Sequence, residues 1–203
     1  MEVALKSRGG RPRTFDREQA VDVAMRMFWR HGYEGVSIGD LTEAIGIAAP
    51  SLYAAFGSKA QLFRETLKRY ELVSGPSNLS VFDNAETLED AVRQMLNSSI
   101  RMVTSPEGER GCMISSGMIA CHADHEELAL ELAERRNAYR ATIKLKLQFW
   151  VGEQKAPSLA RYLAAVLQGI SIQSRDGATP AELAMIVDEV TAALASRHAN
   201  PAR

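Results

Sequence analysis

The chain has 203 residues, 46% of them hydrophobic, and a formal net charge of −1 at pH 7, so it carries enough apolar side chains to fill a sizeable core. No run approaches the roughly 18 apolar residues of a membrane span, and the basic N-terminus lacks the apolar stretch and cleavage site of a leader, so a cytoplasmic protein with no membrane partner is expected. Two cysteines, Cys112 and Cys121, are too few for a disulfide framework.

The small net charge hides an asymmetry. Residues 1–70 carry 11 Lys/Arg against 8 Asp/Glu, and residues 71–203 carry 13 against 17. The extreme is KSRGGRPR, Lys6 to Arg13, where Gly9, Gly10 and Pro12 prevent a regular element. Such an arm suits a polyanion; a solubilising tail has the same composition.

Asp16 precedes the first predicted helix and can cap it, with Gln19 three residues on. Ala20, Ala24, Met27 and Phe28 repeat at helical spacing, and Gly32 ends the element. Ser37 opens a second helix, Ile38 to about Ala44, with Asp40 completing a capping box and Ile38, Leu41 and Ile45 as its apolar stripe. Gly46 breaks it, Ala48 and Ala49 are extended before a proline, Pro50 starts a third helix, and Gly57 stops it about two turns later. Leu52 and Phe56, four apart, face inward. Helix, tight turn and short helix is the helix-turn-helix plan, whose second member lies in the DNA major groove. Ser58 with Gln61 then caps a fourth helix carrying Leu62, Phe63, Leu67 and Tyr70.

Residues 74–87 read as a turn-rich connection. Thr87 caps a helix through Leu88, Val92, Met95, Leu96 and Ile100, which the segment TSPEGERG breaks. The apolar stretch from Cys112 to His122 is expected to be a short helix, on which the two cysteines lie about 13 Å apart, beyond disulfide reach. Asp124 opens a long helix with Leu128, Leu132, Tyr139, Ile143 and Leu147 on one face. Another runs from Pro157 to about Arg175, with Leu159, Tyr162, Leu163, Val166 and Ile170. Thr179, Pro180 and Glu182 start the last, which repeats Leu183, Ile186, Val187, Val190 and Leu194. No strand alternation or repeat is present, so the fold is expected to be all-α.

GRPRTFD and HGYEGVSIGDLTEAIGIAAPSLYAAFGSKAQLF resemble the DNA-binding region of the TetR family of bacterial transcriptional regulators. The resemblance rests on Gly32-Tyr33, Ser37, Leu41, Gly46, Ser51-Leu52-Tyr53, Phe56 and Lys59 at these spacings, covers residues 11 to about 70, and becomes loose beyond about 75. It implies an N-terminal three-helix helix-turn-helix domain joined by a fourth helix to a C-terminal ligand-binding and dimerisation domain. The expected divisions are a basic arm at 1–14, a DNA-binding domain at 15–58, a connecting helix at 59–74, and a sensing and dimerisation domain at 75–203.

The resemblance further implies that Ser37 donates to a phosphate, that Tyr53 places its hydroxyl on the DNA backbone, and that Lys59 holds another phosphate. Ala49, Pro50, Ser51 and Ala54 take the positions that approach bases. Residues 47–57 contain no Arg, Lys, Asn or Gln for a bidentate base contact, so apolar contacts to thymine methyls and insertion of Arg11 and Arg13 into a narrow minor groove would have to carry selectivity. Gly39 stands where a basic side chain would add a phosphate contact.

One short recognition helix covers few base pairs, so a homodimer on a palindromic double-stranded operator is expected. Its interface is assigned to Tyr162, Val166, Gly169, Ile170, Leu183, Ile186, Val187, Val190 and Leu194; the alternative is that this stripe packs the protomer's own core. Met95, Met102, Met113 and Met118, with Ser116 and Trp150, are candidates for a pocket taking an unknown small-molecule effector, although methionines also serve as plain core.

Cys112 follows GERG at what reads as a first helical turn near Arg110, a setting that favours a thiolate. The resemblance permits a sensor of electrophiles or oxidants there, and an inert cysteine is the alternative. CHADH gathers Cys121, His122, Asp124 and His125 without metal-ligand spacing, so no metal or cofactor is expected. No nucleophile elbow or phosphate loop appears, so an enzyme is not expected. The reading is a repressor released by its effector, with an activator or a DNA binder that senses nothing as alternatives.

Overall fold

The computed structural model describes residues 16–73 and 79–199, without the side chains of residues 197–199. Its helices are α1 (Arg17–His31), α2 (Ile38–Ile45), α3 (Ala49–Phe56), α4 (Lys59–Val73), the single-turn α5 (Val81–Asn84), α6 (Leu88–Val103), α7 (Glu126–Arg175) and α8 (Pro180–Ala199), with one 3-10 turn at Ala123–His125. No strand occurs among the described residues, and the fold is all-α. None of the described helices is long and apolar enough to cross a membrane.

The N-terminal boundaries follow from their caps. Asp16 accepts from the Glu18 and Gln19 amides at 3.0 and 3.1 Å, and Ser37 with Asp40 forms a reciprocal capping box. Those hydrogen bonds, backbone first, hold the Asp40 carboxyl below the usual carboxylate range. Helix α3 begins one residue earlier than expected: Ala48 is the extended N-cap, Ala49 is already helical, and Pro50 occupies the first turn, where no amide donor is required. The Ser58 hydroxyl accepts from the Gln61 amide at 3.0 Å at the start of α4.

Two apolar cores form. One joins α1 to α4 through Ala20, Ala24, Phe28, Leu41, Leu52, Phe56, Leu62, Phe63 and Leu67, and also takes in Met113, Leu128 and Leu132 from the rest of the chain. Met27 is only half-buried; Met25 and Trp29 take the inward positions of α1 instead. The other core packs α6 between α7 and α8.

Two expectations fail. Residues 112–122 form successive turns rather than a helix. Gly111 has φ 81° and Met118 φ 49°, and the Ser116 hydroxyl donates to the Cys112 carbonyl at 2.9 Å, a local bond that competes with helix formation. The second concerns the region after the long helix. α7 continues to Arg175 with a break at Gly152 (φ 76°, ψ 168°), so its second half starts before Pro157 and the proline falls near its first turn. That backbone conformation is open almost only to glycine. Gly152→Ala is therefore expected to cost about 1–3 kcal/mol in a urea melt; at Gly169, mid-helix, an added Cβ would meet no atom of its own protomer within 4 Å.

Candidate DNA-reading face and effector cavity

Helix α3 hides Leu52 and Phe56 completely and turns the opposite face outward. Pro50, Ser51, Tyr53 and Ala54 are exposed and Ala49 is half-buried; Tyr53 keeps 47% of its surface accessible. Together they form one short ridge. Ser37, exposed at the head of α2, uses its oxygen as an acceptor from the Asp40 amide at 3.1 Å, which leaves its hydroxyl proton for an outside acceptor. Lys59 opens α4 with its Nζ 4.2 Å from the centroid of Tyr33, a cation–π contact that fixes the ammonium beside free helix N-terminal amides. Partial burial lowers its pKa, opposed by Glu34 and Asp40. Arg11 and Arg13 lie outside the described residues.

Behind this face, α4, α6 and α7 and the turns after Gly111 enclose a cavity of about 320 Å³, lined mainly by apolar atoms. Of the seven sequence candidates, Met102 and Cys112 line it. Met95 is fully buried in the α6–α8 core, Met113 is buried in the N-terminal core, and Trp150 packs against the former. Met113, Ser116 and Met118 instead line a second cleft between α1 and the turns, beside Arg30, His31 and Arg175.

The cavity also holds groups that sequence reasoning missed, among them Tyr70, Arg135, Arg136 and Tyr139. Tyr70 is 2% exposed, and its hydroxyl is closed in against the Cys112 thiol and the Met113 backbone without a hydrogen bond of good geometry. Burial, then the neighbouring Cys112 thiol, raises its pKa far above the ordinary tyrosine value, so it stays a proton donor. Arg136 could have been noticed: it falls at helical spacing on the stripe of Leu132, Tyr139 and Ile143, where an apolar residue belongs.

Cys112 is half-buried in the cavity wall. The first-turn setting inferred for it does not exist, and Arg110 is spent on the Ser174 and Ala178 carbonyls at 3.2 and 2.9 Å. Its amide donates to Ser171 Oγ at 2.8 Å. One residue earlier, the Gly111 carbonyl accepts from Trp29 Nε1 at 3.0 Å, and Arg175 donates to the Trp29 carbonyl at 2.5 Å. The strand of chain that walls the cavity is thus bonded directly to the C-terminal end of α1. Ion pairs of Arg64 with Glu127 and Glu131 and of Arg135 with Glu71 add links between α4 and α7. The residues of CHADH sit in the exposed turn leading to α7, where Asp124 donates its amide to His122 Nδ1 at 3.3 Å.

The residues assigned to an interface divide in two. Ile170, Leu183, Val187, Val190 and Leu194 are at most 3% exposed within one protomer, so they belong to its own core and have no surface to offer a partner. Tyr162, Val166, Gly169 and Ile186 remain exposed or half-buried, in the company of exposed Ile172 and Met185.

An all-α chain that presents a capped helix-turn-helix ahead of a second helical domain has the plan of a DNA-binding transcriptional regulator. Residues 20–66 match the bacterial regulatory proteins of the tetR family. Over 189 residues the chain is 33% identical to the HTH-type transcriptional repressor ComR of Escherichia coli (strain K12), covering 90% of each chain, and it is 29% identical to the repressor BdcR of the same strain over 83% of each. Its fold is similar to that of a cysteine-substituted TetR family regulator, CifR, complexed with 26-bp double-strand operator DNA, with a TM-score of 0.82, 34% identity and coverage of 91% of this chain and 99% of that one. The protein belongs to the TetR family of transcriptional regulators.

Proposed function

We propose that the protein is a homodimeric repressor that holds a palindromic operator with two copies of α3 and lets go when its cavity is occupied. The observation that carries this reading is the hydrogen bond of Trp29 to the Gly111 carbonyl, one residue before the cavity-lining Cys112, since Trp29 stands on α1, the helix that packs on α2 and α4. A ligand that moves this wall moves the DNA-reading unit, and release follows if the occupied state favours a different separation of the two units. The repressor names of ComR and BdcR and the operator complex of CifR support the DNA half of the reading.

On the DNA, Ser37, Tyr53 and Lys59 take phosphates, and Ala49, Pro50, Ser51 and Ala54 approach bases. Arg11 and Arg13 supply minor-groove contacts that α3 lacks. The domain divisions at 14, 58 and 74 follow the same roles. The partner face is the outer side of α7 and α8, with Tyr162, Val166, Gly169, Ile172, Met185 and Ile186, where glycine permits close helix approach.

Cys112 offers a second trigger, because its thiol lies in the wall of the cavity beside Tyr70 and Arg136. An electrophile that enters forms a thioether with it and occupies the site permanently. N-Ethylmaleimide is expected to abolish operator binding by wild type and by Cys121→Ser in a mobility-shift assay, and to leave Cys112→Ser bound. Equal loss in Cys112→Ser would remove this trigger and leave reversible ligands alone.

A further inference from the structure

The charges around the cavity are unevenly matched. Glu71 and Arg135 line it and are paired with each other. Arg136 lines it too, yet no carboxylate pairs with it among the described residues. Its Nη1 donates to the Ile114 and Gly117 carbonyls at 2.9 and 3.0 Å, which leaves its Nη2 and Nε donors without a partner among the described residues. The Tyr70 hydroxyl is no second donor to this space, because it is sealed against the Cys112 thiol and the Met113 backbone. The cavity wall therefore presents one positive charge without a counter-charge in mainly apolar surroundings.

A half-buried cation without a counter-charge costs free energy that a suitable guest returns. We propose, resting on the reading of this cavity as the effector site, that its reversible ligand is a small apolar monoanion, an aromatic or alkyl body ending in a carboxylate, whose head group is bound by Arg136. A cationic guest finds its only acidic partner, Glu71, already held by Arg135. A dianion such as a phosphate monoester would bring more charge than the single free cation offsets. A neutral guest fills the apolar volume but leaves Arg136 unmatched.

Calorimetric titration of the full chain with 2-naphthoate and with its methyl ester separates these cases. Wild type is expected to bind the acid about tenfold more tightly than the ester, the size of one charge-assisted hydrogen-bond set. Arg136→Met is expected to erase that preference while retaining the ester's affinity. Arg136→Lys keeps the charge and part of the preference, which guards against a folding defect in the methionine variant. Equal affinities in wild type, a preference that survives Arg136→Met in a folded protein, or no binding of either probe would overturn the proposal. A mobility shift on the same samples keeps the two readings apart: acid-selective binding that leaves the DNA complex intact upholds the ligand class and contradicts the release mechanism.

Discussion

Trp29→Ala is expected to lower the stability of the protein by about 3–5 kcal/mol, the largest effect of any single truncation in the N-terminal core. The indole is 3% exposed and stands edge-on to Tyr70 with 4.9 Å between ring centroids. A Cβ added to Gly108 would come within 2.9 Å of it, so the loop after α6 is closed down on the ring. Removing the side chain opens a cavity among groups that cannot collapse onto it, and leaves the Gly111 carbonyl without its donor. A urea melt reports the loss. Trp29→Phe keeps most of the packing and removes the N–H, so it is expected to cost less, about 1–3 kcal/mol, and to blunt release by effectors more than it weakens operator binding. A Trp29→Phe protein that responds to effectors as wild type does would show that the Gly111 bond is not part of the route.

Lys59→Gln is expected to weaken operator binding about tenfold and to weaken binding to unrelated duplex by a similar factor. A phosphate contact carries no sequence information, so its loss acts on all DNA alike. The same loss reduces the slope of log affinity against log salt by about 1. Anisotropy titrations at several salt concentrations measure both quantities. Tyr33 reinforces the effect, because its ring holds the ammonium at 4.2 Å at the head of α4, where the helix dipole also attracts phosphate. Deletion of residues 1–13 should reduce the slope further, by the contacts that Arg11 and Arg13 contribute. An unchanged slope in Lys59→Gln would mean that this lysine serves only to pack against Tyr33.

The N-terminal third was legible residue by residue because its signals are local. Asp16, Ser37 and Ser58 each cap the next helix through a neighbour two or three residues away, and the glycines at 32, 46 and 57 stop the helices with positive φ. Spacing alone therefore set the exposed ridge of α3. The turns at 112–122 were not legible, because their apolar composition resembles a helix while Gly111, Gly117 and the serines oppose one, and only tertiary contact decides. A Cβ at Gly117 would sit 2.6 Å from Leu132 of α7, a constraint invisible within the segment.

The cavity was misread for a related reason. Methionine content marks adaptable packing, and Met95 and Met113 proved to be core. The informative side chains were the polar ones on apolar stripes, Tyr70 on α4 and Arg136 on α7. The interface suffered from the opposite ambiguity: in α8 the strong stripe of Leu183, Val187, Val190 and Leu194 serves the protomer's own core, and a weaker face carries the exposed Met185.

On the proposed function, α3 reads a specific operator as half of a dimer. The most direct test is a mobility shift with the purified protein and the DNA immediately upstream of its own gene, run against an excess of unlabelled random duplex at rising salt. A complex of two protomers per palindrome is expected to survive the random competitor, to fall steeply with salt, and to be lost in Tyr53→Ala. A complex that random duplex removes as readily as the cognate sequence does, or that Tyr53→Ala leaves intact, would contradict it.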